Sequence, residues 1–307
     1  MPMSLHVLTP VLHSIELGAA VGLDVSLKLE CVQPSGSFKI RGVGHACARK
    51  MADGARRFIS SSGGNAGYAV AYAGRRLGAE VVVVVPATTS ERAKSLIGQE
   101  GAHVIVHGRS WQEANEHALS LLTPDSAFIH PFDDPLLWEG HGTLVDELAA
   151  QMDRPDVIIC SVGGGGLLAG VAAGLRRNGW DATGILAVET AGAASYAAAL
   201  AAGRPVEIDA ISTVATSLGA RRVCSQALAL AEELTVKSHV VGDAAAIRGS
   251  ADLLDAHRLL TEPACGASIA GLQAVRTQYP EARSAVVVVC GGVGVTREQL
   301  NRWLAAT

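Results

Sequence analysis

The chain is poor in aromatic residues, in charge and in closely spaced cysteines. Phe, Trp and Tyr make up 4% of its 307 residues, which argues against the stacking platform that single-stranded nucleic acid needs. Charged residues are 18%, and 25 Lys+Arg against 29 Asp+Glu leave a net charge of −4. A nucleic-acid-binding face needs a basic excess, and none is present. The six cysteines are Cys31, Cys47, Cys160, Cys224, Cys265 and Cys290, and no two have CxxC spacing. A zinc site or redox dithiol is therefore not expected. No apolar run approaches the ~20 residues of a membrane span. The opening segment MPMSLHVLTP lacks the basic and apolar regions of a secretory signal. These absences predict a soluble chain in a reducing, cytoplasmic setting, with neither nucleic acid nor membrane as partner.

What is present in excess is glycine, 34 residues, on a background that is 49% hydrophobic. That background suffices for a sizeable core. Short Val/Ile-rich runs alternate with longer amphipathic segments. Strands are predicted at Val25–Glu30, Arg57–Ser61, Glu80–Pro86, His103–His107, Ala127–His130, Val157–Ser161, Ile185–Glu189 and Val286–Cys290. Helices are predicted between them, among them Asn65–Leu77, Glu91–Glu100, Gln112–Leu122, Leu136–Gln151, Leu167–Asn178 and Ala244–Ala256. Uniformly apolar strands such as VVVVVP suit a sheet covered on both faces, and the alternation predicts an α/β fold with mostly parallel strands. Composition marks no domain boundary. In open α/β sheets, ligands bind at the carboxyl ends of strands, and three Gly-rich segments follow strand candidates directly.

The first of these is Ser161-Val162-Gly163-Gly164-Gly165-Gly166, between a strand and a helix. Free backbone N–H groups and the positive end of the helix dipole would bind phosphate there, and glycine lets the anion approach closely. A tight βα turn is the plainer alternative. The P-loop ending Gly-Lys-Ser/Thr is absent, and so is GxGxxG placement. The second segment, PSGSFKIRG, sets Lys39 between Phe38 and Ile40. Desolvation there would lower the amine's pKa and make it nucleophilic, although a snorkelling surface lysine fits the segment alone. The third is Ser60-Ser61-Ser62-Gly63-Gly64-Asn65-Ala66-Gly67, which suits a carboxylate at a helix N-terminus, or simple capping. The fourth is Cys290-Gly291-Gly292, whose thiol is a core residue or a weak donor to a neutral ring nitrogen.

Taken in order, PSGSFKIRG, SSGGNAG, HPFDDPLLWEGH, SVGGGGLLAGV, TEPACGAS and VVCGG resemble the pyridoxal-phosphate (PLP) enzymes of the tryptophan-synthase β fold type. The resemblance is nearest to the catabolic L-serine/L-threonine dehydratases, in the liver-type branch. It implies two domains, each an open, mostly parallel sheet flanked by helices: a large PLP-binding domain of residues 1–42 and 136–307, and a small substrate-carboxylate domain of residues 43–135.

By the same resemblance Lys39 is the covalent PLP lysine and the general base. Phe38 and Ser217 face the two sides of the cofactor ring, Asn65 bonds its 3′-oxygen, and Cys290 faces its nitrogen. Gly163, Gly164, Gly165 and Gly166 form the phosphate cup, while Ser62, Gly63, Gly64, Asn65 and Ala66 hold the substrate carboxylate. Glu189 and the carbonyls of Gly163, Ala193 and Leu218 match the ligands of a monovalent cation such as potassium. The implied partners are a small amino-acid substrate and a second copy in a homodimer. The implied reaction is β-elimination to pyruvate or 2-oxobutyrate and ammonia.

Four positions depart from the family pattern: Val293-Gly294 replaces a polar pair after CGG, and Ser217 and Gly63 each stand where the liver enzyme has alanine. Gly63 suggests a roomier pocket for a bulkier β-hydroxy amino acid. It also lacks the serine that racemases carry there. A racemase, a β-replacement enzyme and a non-catalytic PLP binder are the rival readings. With the chain ending at Thr307, a C-terminal regulatory domain is not expected. Asp133-Asp134 is read as a turn, Glu262-Pro263 as a helix start, and Cys265 as buried.

Overall fold

The computed structural model describes residues 4–307. In chain order the described elements are β1 (Val11–His13), α1 (Ile15–Val21), β2 (Asp24–Lys28), α2 (Lys39–Ala52), β3 (Arg57–Ser60), α3 (Asn65–Leu77), β4 (Glu80–Val85), α4 (Glu91–Gln99), β5 (His103–Val106), α5 (Trp111–Ser120), β6 (Ser126–Phe128) and α6 (Pro135–Gln151). They continue with β7 (Val157–Ser161), α7 (Gly166–Arg177), β8 (Gly184–Thr190), α8 (Ser195–Ala202), α9 (Ser225–Glu233), β9 (Val236–Val241), α10 (Asp243–His257), α11 (Pro263–Gln278), β10 (Ser284–Val288) and α12 (Arg297–Ala306).

The strands form two sheets. One has six strands in the order β1-β2-β10-β7-β8-β9, the other four in the order β5-β4-β3-β6. Among the described strands only β1 pairs antiparallel; every other neighbouring pair is parallel. Every residue of β7 and β8 is buried, as is Val81–Val85 of β4, which accounts for their unbroken apolar runs. The two strands absent from the sequence reading, β1 and β9, are sheet edges with polar and half-exposed positions. Their hydrophobic pattern is interrupted for that reason. The expected α/β architecture with mostly parallel sheets is the one observed.

Gly42 and Gly44 depress the helix propensity of α2. Packing explains one of those glycines. A Cβ on Gly42 would lie 2.6 Å from the Leu137 carbonyl, and one on Gly140 would lie 2.5 Å from the Arg41 carbonyl. The two helices α2 and α6 meet at backbone contact, which only glycine permits. Ile40, Val43, Ala46 and Cys47 of α2 join the core under the four-stranded sheet.

A buried charge network pins the start of α2. The Arg41 guanidinium donates to Glu30 at 2.6 and 2.7 Å and to Glu147 at 2.7 Å through both NH groups. Lys28 Nζ also donates to Glu147 at 2.7 Å and to the Thr9 carbonyl at 2.8 Å. Two cations thus balance two carboxylates where β2, α2 and α6 converge, as burial of charge requires. Lys39 stands two residues before Arg41, so the network fixes the helix turn that carries it.

Candidate active site

The carboxyl ends of β2, β7 and β10 face those of β3 and β6 across a cleft, where parallel sheets place ligands. Lys39 is the first residue of α2 and opens this cleft. The loop before it is held by the strand end that carries Cys290. Phe38 N–H donates to the Cys290 carbonyl at 3.1 Å, Gly292 N–H donates to the Gly36 carbonyl at 2.9 Å, and Ser37 bridges Gly291. Lys39 Nζ donates to the Pro131 carbonyl at 2.7 Å and lies 5.2 Å from the centre of the Phe38 ring. Burial pushes its amine down to about 8, against the opposing pull of Cys290 and Glu262.

The segment around Pro131 is shaped by histidine. His130 Nδ1 accepts from Phe132 N–H at 3.2 Å and Asp133 N–H at 2.7 Å, and Trp138 Nε1 donates to the Phe132 carbonyl at 2.8 Å. Asp134 caps α6 with Pro135 at its first turn, the turn role expected of that acidic pair. The Phe132 ring then lies against the glycine turn, where a Cβ on Gly164 would collide with it.

That turn ends β7 and starts α7. Gly165 is left-handed at φ 90°, and a Cβ there would come within 2.7 Å of Ala227. Among the described residues, no carbonyl or side chain accepts from the backbone N–H groups of Gly163, Gly164, Gly165, Gly166, Leu167 or Leu168; Ala169 is the first to find one, the Gly165 carbonyl at 2.9 Å. Gly165 to Leu168 are buried. Buried donors without acceptors are costly and rare, so this row, at the positive end of α7, is built for an anion.

The third Gly-rich segment enters α3. Ser62 Oγ accepts from Gly64 N–H at 3.3 Å, and Asn65 and Ala66 are buried at the helix start. Gly63 does not open a larger pocket as expected. A Cβ at residue 63 would lie 2.7 Å from both Cγ2 and Oγ1 of Thr89, so Thr89, in the loop after β4, already fills that space.

Asn65 crosses the cleft. Its Oδ1 accepts from Val293 N–H at 3.1 Å, and its Nδ2 donates to Glu262 Oε1 at 2.7 Å and stands 3.3 Å from Ser217 Oγ. Val293, the departure from the polar pair, therefore works through its backbone, while its side chain packs on Gly36 of the lysine loop. Cys290 is buried, and Cys265 and burial together hold its thiol well above the ordinary range, so it is neutral.

Two residues were missed by sequence reasoning. Glu262 was read only as a helix start; it does precede α11, but its carboxylate points into the cleft, where burial pushes it up to about 7 against Ser217, Asn65 and Lys39. His141 accepts from Gly42 N–H at 3.2 Å through Nδ1 and backs the Phe38 ring at 4.9 Å between centres. The signal for Glu262 was its place beside TEPACG, before a helix aimed at the site. His141 had none, since a lone buried histidine is ordinary.

Glu189 lies at the end of β8. Its two oxygens accept from Tyr196 N–H at 2.7 Å and Ala197 N–H at 2.8 Å. Burial pushes it up to about 7 against those bonds. Gly163 adjoins Leu218: a Cβ on the glycine would lie 3.1 Å from the Leu218 carbonyl. Ala193 is buried, and the nearby hydroxyls of Thr190 and Ser195 are buried without a partner.

The fold and this cleft define a class, and comparison with known proteins names it. The family model "Pyridoxal-phosphate dependent enzyme" matches residues 4–291, and the chain belongs to that family. Among its relatives, a mouse (Mus musculus) protein named serine dehydratase-like is 46% identical, covering 96% of this chain and 93% of the relative. A second mouse protein, named L-serine dehydratase/L-threonine deaminase, is 45% identical over 97% of this chain and 94% of its own length. The crystal structure of a fungal L-serine ammonia-lyase from Rhizomucor miehei superposes with a TM-score of 0.94 at 36% identity, covering 98% of both chains. The site fits the family's cofactor: a desolvated lysine, a row of orphan N–H donors for a phosphate, and a neutral thiol.

Proposed function

We propose that this chain catalyses PLP-dependent β-elimination of L-serine and L-threonine, giving pyruvate or 2-oxobutyrate and ammonia. The observation that carries the reading is the buried Lys39 amine, bonded to the Pro131 carbonyl at 2.7 Å, with the next residue, Phe132, packed on the glycine turn whose N–H groups lack acceptors. The relatives named for serine and threonine dehydration supply the substrate class.

In this reading Gly163 to Gly166 hold the phosphate through backbone N–H groups. Lys39 Nζ binds the cofactor, Phe38 and Ser217 flank its ring, Asn65 Nδ2 donates to its 3′-oxygen, and the Cys290 thiol meets its nitrogen. Bound PLP supplies the electron sink for the charge left at the substrate α-carbon. The substrate carboxylate sits on Ser62, Gly63, Gly64, Asn65 and Ala66 at the N-terminus of α3. Lys39 Nζ takes the α-proton, and an amine lowered to about 8 is suited to that near neutral pH. A neutral thiol keeps the ring nitrogen unprotonated, which favours elimination over transamination.

The reading extends to a monovalent cation held by Glu189 and the carbonyls of Gly163, Ala193 and Leu218. The partnerless Ser195 hydroxyl supports it, since Ser195 immediately precedes Tyr196, whose N–H the Glu189 carboxylate accepts. Residues 43–135 form the small domain that closes on substrate, and residues 1–42 and 136–307 the large one. The working form is a cytoplasmic homodimer.

The test is α-keto acid release from PLP-loaded protein in potassium buffer, offered L-serine, L-threonine, D-serine and phenylserine. Keto acid from the two L-substrates is expected. Turnover of phenylserine alone would change the substrate, and none from any amino acid would overturn the assignment.

A further inference from the structure

We propose that Glu262 is a positioning residue, whose buried carboxylate fixes the Asn65 amide across the cleft so that one of its N–H groups is left for the 3′-oxygen of the cofactor ring. The inference rests on the PLP-binding reading above.

The geometry is specific. An amide has one acceptor oxygen and two N–H donors. Asn65 Oδ1 is taken by Val293 N–H at 3.1 Å, and one Nδ2 hydrogen is taken by Glu262 Oε1 at 2.7 Å. The other points toward Ser217 Oγ at 3.3 Å, a long contact that a better acceptor displaces. Reversing the amide would set its oxygen against the Glu262 carboxylate and its N–H₂ against Val293 N–H, so both contacts enforce one orientation.

Glu262 is itself held in a made-to-measure place. Gly292 has φ 131°, and a Cβ there would strike the Glu262 carboxylate, with Cγ at 2.5 Å. Among the described residues Glu262 makes no ion-pair contact, and Lys39 acts on it only at longer range. Its side chain makes no capping bond to α11 either. A buried carboxylate that neither caps its helix nor touches a cation is costly, and it is held by side-chain hydrogen bonds from Asn65, at 2.7 Å, and from Ser217. At 2.7 Å the bond from Asn65 is short, which makes Glu262 an effective clamp. Because Asn65 rides on α3 of one sheet and Glu262 precedes α11 of the other, the clamp also joins the two walls of the cleft.

The test uses purified full-length protein, freed of cofactor, and measures binding of PLP and of 3-deoxypyridoxal phosphate without substrate. Wild type is expected to prefer PLP by about tenfold, the worth of one bond to a polar partner. Asn65→Ala should lose that preference. Glu262→Met, which fills the volume but accepts nothing, and Glu262→Asp, which withdraws the carboxylate by one methylene, should both fall below about threefold. Glu262→Gln, which still offers an oxygen, should keep most of it. Thermal unfolding of each variant reports whether it is folded, and Glu262→Asp serves if Glu262→Met is not. A full preference retained in the Met or Asp variant overturns the positioning role. Failure of wild type to bind PLP at all would instead overturn the cofactor reading on which it rests.

Discussion

Replacing Arg41 by Met tests whether the buried charge network holds the lysine-bearing helix. Arg41 is fully buried, and its guanidinium makes four short bonds to Glu30 and Glu147. Methionine keeps much of the apolar contact and removes the charge. Glu30, also fully buried, then loses its cation, while Glu147 keeps Lys28 at 2.7 Å. Breaking one side of a buried pair costs about 3–5 kcal/mol. At about 2–4 °C per kcal/mol for a chain of this order of size, Tm should fall by about 6–20 °C. Adding Glu30→Gln removes the stranded charge and should recover part of the loss. Thermal unfolding followed by circular dichroism at pH 7 measures both. The pH dependence adds a second arm. Burial pushes Glu147 up, but the bonds from Arg41 and Lys28 outweigh it and carry it from 4.5 down to about 2. A depressed folded pKa gives stability that is present above the unfolded value and is lost as pH falls through the folded one. The wild-type advantage should therefore shrink between pH 4.5 and about 2. An Arg41→Met protein melting within about 2 °C of wild type, less than 1 kcal/mol of change, would refute the reasoning.

Other outcomes follow from the site. In the cofactor-free protein, the rate of Lys39 acylation, read by peptide mass spectrometry against pH, should reach half its maximum near 8; a midpoint near 10.5 would mean the amine is not desolvated. Gly63→Ala alone should lower kcat/KM for L-serine at least tenfold, because its Cβ meets Thr89 at 2.7 Å, and Gly63→Ala with Thr89→Ala should restore most of it. Equal losses in the single and double variants would show that Thr89 does not set this wall. Glu189→Gln should remove the advantage of potassium over tetramethylammonium in keto acid release, whereas a retained potassium effect would place the cation elsewhere.

The parallel sheets were legible because β4, β7 and β8 are buried on both faces and read as unbroken apolar runs. The site was legible where glycine marks a constraint on backbone, as in Gly163 to Gly166, and where Lys39 stands among apolar and small residues. Each segment alone left an ordinary alternative open, and only their order carried the resemblance. What escaped notice depends on the third dimension. Helix α2 carries Gly42 because α6 touches its backbone there, which no periodicity reveals. Arg41, Glu30, Lys28 and Glu147 are scattered over more than a hundred positions and look like surface charges. Glu262 presents itself as a helix start, and its carboxylate gains meaning only beside Asn65, 197 residues earlier. Gly63 misled for the same reason: the side chain that fills its space belongs to Thr89.

The central claim is that Lys39 holds the cofactor between the α7 glycine row and Cys290. It is tested most directly by loading the protein with PLP, reducing it with borohydride and mapping the peptides by mass spectrometry. The account predicts a single phosphopyridoxyl group on Lys39, lost in Lys39→Ala together with keto acid release from L-serine. A label on another lysine, or serine turnover that survives Lys39→Ala, would contradict it.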